Sequence, residues 1–297
     1  MFTRRSLLAF LMALTALLVA VPVHAQLQVR LQFPRHVFLA HEPMIAKITI
    51  TNLAGRDITL QDTDQERWFS LQIKTGDDTL VPPRDPGYHL PPLVIPAGAS
   101  VARAINVLQL YPANEYAQYR IQTSIFFAGM GKYFSSQPQT ILVTDGRTLW
   151  QQTVGVPAGS DGAGSTRTMT MLAFRQPDDD MLYVRVEDHD SGIIYGTIPL
   201  GRLINADEPQ KTFDSQNQLH VLQLVGPKTY LSSVIGLNGE LFEQKSYTTL
   251  HYPPRLVKAA TGDVDVQGGQ PVLAEAQGPN ATPPPKLSDR PAGMPID

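Results

Sequence analysis

Between Leu27 and Val143 the large apolar residues fall at every second position, in runs too short for a helix. Leu27, Val29, Leu31 and Phe33 form one set. Ile48 with Ile50, Ile58 with Leu60, and Phe69 with Leu71 and Ile73 form others. Tyr119, Ile121 and Thr123 follow, and Ile141 with Val143 closes the series. A period of two sends alternate side chains to opposite faces of an extended chain, so each run reads as a strand with one face on a core. Pro43, Asn52, Gly55, Gly76, Pro82, Pro83, Gly98 and Gly131 punctuate the runs as turn formers do. About seven short strands in such a span predict a β-sandwich, here over residues 26–145.

Residues 146–165 break the pattern. Val156-Pro-Ala-Gly-Ser-Asp-Gly-Ala-Gly164 lacks large apolar residues beyond its first position and reads as a flexible linker or surface loop. A second set of alternating runs occupies 166–268. Leu182, Val184 and Val186 lead to a turn at Asp188-His-Asp-Ser-Gly192, and Ile193, Tyr195 and Thr197 follow. Asn238-Gly239, between Tyr230–Leu237 and Leu241–Tyr247, is a strong hairpin signal. This half reads as an antiparallel meander or small sandwich. Leu200 to Ile204 is the segment read as a turn of helix. Residues 269–297, rich in Pro, Gly and Ala, bury too little surface to offset ordering entropy and are expected to be disordered.

Within the first half, Val37-Phe-Leu-Ala-His-Glu42-Pro43-Met-Ile45, then Ile48-Thr-Ile50-Thr-Asn52 and Gly55, resembles the opening strands of bacterial immunoglobulin-like domains. Tyr119 in Ala117-Gln-Tyr-Arg-Ile121 stands where such domains place a tyrosine corner. Ser135-Ser-Gln-Pro138 before Ile141-Leu-Val143 resembles the entry to their last strand. The resemblance departs from antibody domains in lacking both cysteines. It implies an all-β chain, with an N-terminal immunoglobulin-like β-sandwich followed by the second antiparallel domain. It implies no particular activity, since the scaffold hosts many unrelated roles.

The chain has 297 residues, no cysteine, and 17% charged side chains. Without cysteine, disulfides, iron–sulfur clusters and thiolate nucleophiles are excluded. The formal net charge of -3 and the lack of a dense Lys/Arg cluster are the wrong electrostatics for nucleic acid. Met1-Phe-Thr-Arg-Arg-Ser6, the uncharged apolar run Leu7–Val21 and Val23-His-Ala25 read as a cleavable signal peptide over residues 1–25. The paired arginines also resemble a twin-arginine signal. A periplasmic or secreted protein with no membrane span after cleavage is therefore expected.

The candidate sites are sparse. Gly159-Ser160-Asp161-Gly162 looks like a nucleophile elbow but lies in a glycine stretch rather than between strand and helix, and no catalytic residue is assigned. No cofactor is expected other than calcium, for which Asp62, Asp64 and Glu66 offer three carboxylates at alternate positions. Asp188, His189 and Asp190 add an imidazole to two acids at a turn, a set suited to a transition metal. Trp68 is expected in the core and Trp150 at a junction between domains. Pro82-Pro-Arg-Asp-Pro86-Gly-Tyr-His-Leu-Pro91-Pro92 is a stiff loop presenting Tyr88 and His89, a candidate ligand or partner surface. These readings favour non-enzymatic binding of a protein or glycan in the bacterial envelope. The competing expectation is a hydrolase using carboxylates of the second domain, which needs two acids facing each other across a pocket.

Overall fold

The computed structural model describes residues 26–176, 179–249 and 252–272. The expected signal peptide, and the expected tail from residue 273 onward, lie outside the described residues.

The chain is all-β, and its strands build two face-to-face sandwiches. In the first, β1 (Leu27–Gln32), β3 (Ile45–Asn52) and β7 (Ser100–Asn106) form one antiparallel sheet in the order β1-β3-β7. The facing sheet runs β2 (Val37–Leu39), β10 (Gln139–Thr144), β8 (Gln118–Phe127), β5 (Phe69–Thr75), with β9 (Lys132–Ser135) also paired to β8. A short pair, β4 (Ile58–Leu60) with β6 (Leu93–Ile95), closes one side. One helical turn, α1 (Val107–Leu110), follows β7.

The alternation read from the sequence is the alternation of burial. In β1, Leu27, Val29 and Leu31 are buried and the residues between them exposed. In β8, Tyr119, Ile121, Thr123, Ile125 and Phe127 all face inward. These meet Ile48, Ile50, Ile73 and Ile141 in one core, with the Trp68 indole among them. The Tyr119 hydroxyl donates to the Glu115 carbonyl at 3.2 Å, which makes it a tyrosine corner. Asn52, fully buried, ends β3. Its Nδ2 donates to the carbonyls of Arg56, Ile95 and Pro96, and its Oδ1 accepts from the Ala54 N–H.

In the second sandwich, β11 (Arg147–Gly155), β12 (Thr166–Arg175), β13 (Asp180–Asp188) and β14 (Ile194–Arg202) form a four-stranded meander. It faces a sheet of β15 (Gln210–Phe213), β16 (Leu219–Gly226), β17 (Thr229–Ile235), β18 (Leu241–Thr248) and β21 (Gln270–Pro271). A separate hairpin pairs β19 (Arg255–Lys258) with β20 (Val264–Gln267). Met169, Met171, Leu182, Val184, Val186, Leu219, Val221 and Ile235 fill the space between the sheets. Asn238-Gly239 turns the β17–β18 hairpin, with Gly239 at φ 78.

Three boundaries differ from the sequence reading. Most of the expected linker at 146–165 is strand: β11 pairs with β12 from Arg147 to Gly155, leaving only 156–165 as a loop. Lying at the sheet edge, β11 has no fully buried residue and no regular alternation to betray it, its half-buried Leu149 and Trp150 being adjacent. Gln270 and Pro271, placed in the tail by composition, pair with Thr248 and Tyr247. Leu200 belongs to β14 rather than to a helical turn, and the described helix is α1.

The outer face of the β11–β14 sheet is not left to solvent. β13 is buried on both sides, because Tyr183 and Arg185 point away from the second core toward the first sandwich. Tyr183 and Leu172 pack on Leu39. Around this apolar contact runs a polar seam. Arg35 is ion-paired with Glu42, and its Nη1 donates to the Tyr183 hydroxyl at 2.7 Å. Glu42 also accepts the Leu39 N–H. Arg185 pairs with Asp145 at 2.8 Å and donates to the Thr197 hydroxyl, which donates to the Ala40 carbonyl at 2.7 Å. The Thr197 N–H reaches the carbonyl of His41, a residue in the left-handed region at φ 63. Buried polar groups satisfied on both sides of a junction fix one relative placement, since each broken bond strands a partner.

Candidate functional site

Three of the acidic candidates, Asp62, Glu66 and Asp188, are engaged by local structure. Asp62 accepts the Trp68 N–H at 2.9 Å through one oxygen and pairs with Arg67 at 3.0 Å through the other. Thr63 and Glu66 close the intervening turn, and Glu66 accepts the Tyr133 hydroxyl. That bond, more than burial, holds the Tyr133 phenol above its usual range. The loop launches Trp68 into the core, and Asp64 stays on its exposed outside.

Asp188 has a similar role at the second turn. Its Oδ1 accepts both the N–H and the hydroxyl of Ser191 at 2.8 Å, and its Oδ2 pairs with Arg167 at 2.7 Å. The Ser191 bonds first, and Arg167 after them, hold the carboxyl below the usual range. His189 contacts the Thr168 hydroxyl, and Asp190 is exposed at the tip. Among the described residues no group of three or more His, Asp or Glu side chains is placed to hold a metal ion. Neither Asp62 nor Asp188 lines the cavities described below, so the structure does not bring these acids together across a cleft.

The glycine loop 156–165 closes through backbone turns and covers Arg167, which is buried with its guanidinium over the Tyr195 ring. Ser160 takes part in those turns, its N–H donating to the Pro157 carbonyl. Trp68 is in the core as expected, its indole N–H donating to the Leu90 carbonyl at 3.0 Å. Trp150 is not at the junction between sandwiches. It tilts against Phe213 at 6.0 Å within the second sandwich, with the Lys211 ammonium 5.9 Å from its ring. There it walls a cavity of about 290 Å³ with Leu149, Met171, Asp207 and Glu208.

The proline-rich loop differs from the acidic turns in that the Tyr88 hydroxyl makes no hydrogen bond among the described residues, while His89 Nδ1 lies 3.2 Å from the Gly87 carbonyl. It is pinned at three places. The Trp68 indole holds Leu90. The Arg84 N–H donates to the Leu110 carbonyl at 2.7 Å, and its Nε to the Leu108 carbonyl. Asp85 accepts the Gly87 N–H at 2.7 Å through its carboxylate and the Tyr88 N–H through its carbonyl. These bonds lift Tyr88 between two clefts. One, of about 450 Å³, is lined by Tyr88, Leu90, Arg103, Ile105, Gln109 and Leu110. The other, of about 160 Å³, is lined by Phe69, Leu71, Pro83, Pro86 and Tyr111 and again by Tyr88. Partial burial raises the Tyr88 phenol above its usual range, against the opposing pull of Arg103. His89 is exposed beside it.

The sequence reading found Tyr88 and His89 but missed the groups facing them. Arg103, Ile105, Gln109 and Leu110 lie on β7 and α1, and the weak alternation in β7 gave no sign that they share a cleft with the loop.

Fold and geometry together define a two-sandwich all-β protein with a stiff loop presented at the side of its first sandwich. No family model and no curated protein sequence matches the chain. A solved structure similar to it is Spo0M, a sporulation control protein from Bacillus subtilis. The identity is 10%, the overlap covers 57% of this chain and 83% of that one, and the TM-score is 0.26. A likeness this loose carries no argument about the chain. Among the described residues no helix is long and apolar enough to cross a membrane.

Proposed function

We propose that the protein is an exported, non-enzymatic binding or scaffolding protein of the bacterial envelope, with the loop around Tyr88 as its docking surface. One observation supports this most. The loop is held rigid by Trp68, Arg84 and Asp85, yet an aromatic side chain and two clefts remain free at its centre. A surface already ordered before contact loses little entropy on binding. The seam between the sandwiches adds a second support, because a scaffold must hold its modules at a fixed separation. Export rests on the leader-like residues 1–25.

The test is site-specific crosslinking in the native host envelope. A photoreactive residue replaces His89 in one variant and exposed Asp190 in another. A discrete adduct at His89 that vanishes with Tyr88→Ala supports the reading. Equal adducts at both positions, or none at His89, refute it. N-terminal sequencing of the recovered protein should begin at Gln26, and an intact Met1 in the cytosol would refute export.

A further inference from the structure

Strand β7 is an outer strand of its sheet, and among the described residues no strand pairs with its free side. Its register with β3 places Met44 opposite Val107 and Asn52 opposite Ala99, and both positions are hydrogen-bonded. Bonded and non-bonded pairs alternate in an antiparallel ladder. Val101, Arg103 and Ile105 therefore bond toward β3, while the N–H and C=O groups of Ser100, Ala102 and Ala104 point outward.

Exposed edges are usually blunted by proline, lysine, a bulge or a covering strand. Several other edges of this protein show such devices. β14 carries Pro199 and two register shifts, β11 has a bulge at Thr148/Trp150, and β18 is covered by β21. From Ser100 to Ile105, β7 has no proline, no lysine and no register shift, and its outward positions, Ser100, Ala102 and Ala104, are small. The 450 Å³ cleft runs along this same edge, walled on one side by Arg103, Ala104 and Ile105 and on the other by Tyr88 and Leu90.

We infer that β7 accepts an extended acidic peptide as an additional antiparallel or parallel strand, with alternate side chains of that peptide entering the cleft beneath Tyr88. This rests on the docking role proposed for the Tyr88 loop and names its partner class. Backbone pairing supplies the affinity, and pockets for every second side chain supply the selectivity. The acidic character follows from charge. Arg103 is the charged residue lining the cleft, and it has no ion-pair partner among the described residues.

The probe is a short fluorescein-labelled peptide alternating valine and glutamate, titrated against the protein and followed by anisotropy and by amide hydrogen exchange. Saturable binding that weakens with salt is expected, with new protection at the Ala102 and Ala104 amides and none gained at Arg103. Ala104→Pro, which removes an outward donor from an edge strand that tolerates proline, should weaken binding about tenfold. Arg103→Glu should reverse the preference toward a valine–lysine peptide. Equal affinity for acidic and basic peptides, or unchanged binding in a folded Ala104→Pro variant, overturns the inference. If the His89 adduct forms in the envelope while β7 amides stay unprotected by the peptide, strand addition is wrong and the docking loop stands. If His89 yields no adduct, the docking role itself has failed.

Discussion

Removing the Tyr183 hydroxyl should reshape the alkaline stability of the protein. Tyr183 is fully buried at the seam, accepts from Arg35 and Gln176, and faces Glu42. Burial first, then the Glu42 charge, pushes its phenol from 10.0 up to about 12 against the opposing effect of Arg35. The folded protein therefore keeps this proton where the unfolded chain gives it up. The associated stability is complete below pH 10, declines from there to about pH 12, and is gone above it. A two-unit rise corresponds to about 2–3 kcal/mol. Tyr183→Phe cannot lose that proton. It should be less stable than the parent at neutral pH, since Arg35 and Gln176 lose an acceptor at about 1–2 kcal/mol. The gap should then close or invert by about 2–3 kcal/mol across the alkaline window. Urea unfolding followed by tryptophan fluorescence reads both sandwiches, with Trp68 in one core and Trp150 in the other. Other buried phenols titrate in both proteins, so the difference between them is the decisive quantity. A gap constant from neutral to strongly alkaline pH would refute the seam's role.

Asn52→Ala strands three carbonyls and one N–H that the side chain now satisfies, and should cost about 2–4 kcal/mol in thermal or urea unfolding. Asn52→Asp, which puts a carboxylate against those carbonyls, should be no better, and rescue by it would contradict the assignment. Gly162 and Gly164 both have left-handed backbones, so alanine at either carries about 1–2 kcal/mol of strain. Only at Gly162 would the new methyl meet the Arg167 guanidinium, at 2.6 Å, whereas Gly164 has open space. Gly162→Ala should therefore melt at a lower temperature than Gly164→Ala, and equal melting would mean the loop does not hold Arg167 in place.

Local rules carried the sequence reading as far as local rules extend. Alternation in β1 and β8 was legible because one face meets a core and the other meets water. Asn238-Gly239 and the tyrosine corner were legible because each depends on neighbours a few residues away. β11 was not, since an edge strand with no fully buried residue has no clear period to read. Nor was the seam: Arg35 and Tyr183 are 148 residues apart, and nothing in either neighbourhood records the other. The bonds at the acidic turns were equally out of reach of the sequence reading. Asp62 and Asp188 look like ligands in a string of letters, but each is neutralised by a nearby arginine and backbone N–H groups.

The way β10 leaves the first sandwich bears on force. It lies between β8, antiparallel, and β2, parallel through Leu142 to Thr144, and the chain passes directly from it into β11. Tension drawn from the second sandwich runs along the axis of β10, across bonds lying near right angles to the pull. Those bonds are loaded together in shear instead of opening in sequence like a zipper. A strand clasped on both flanks at the exit point resists such a pull more than a strand peeled from a sheet edge would.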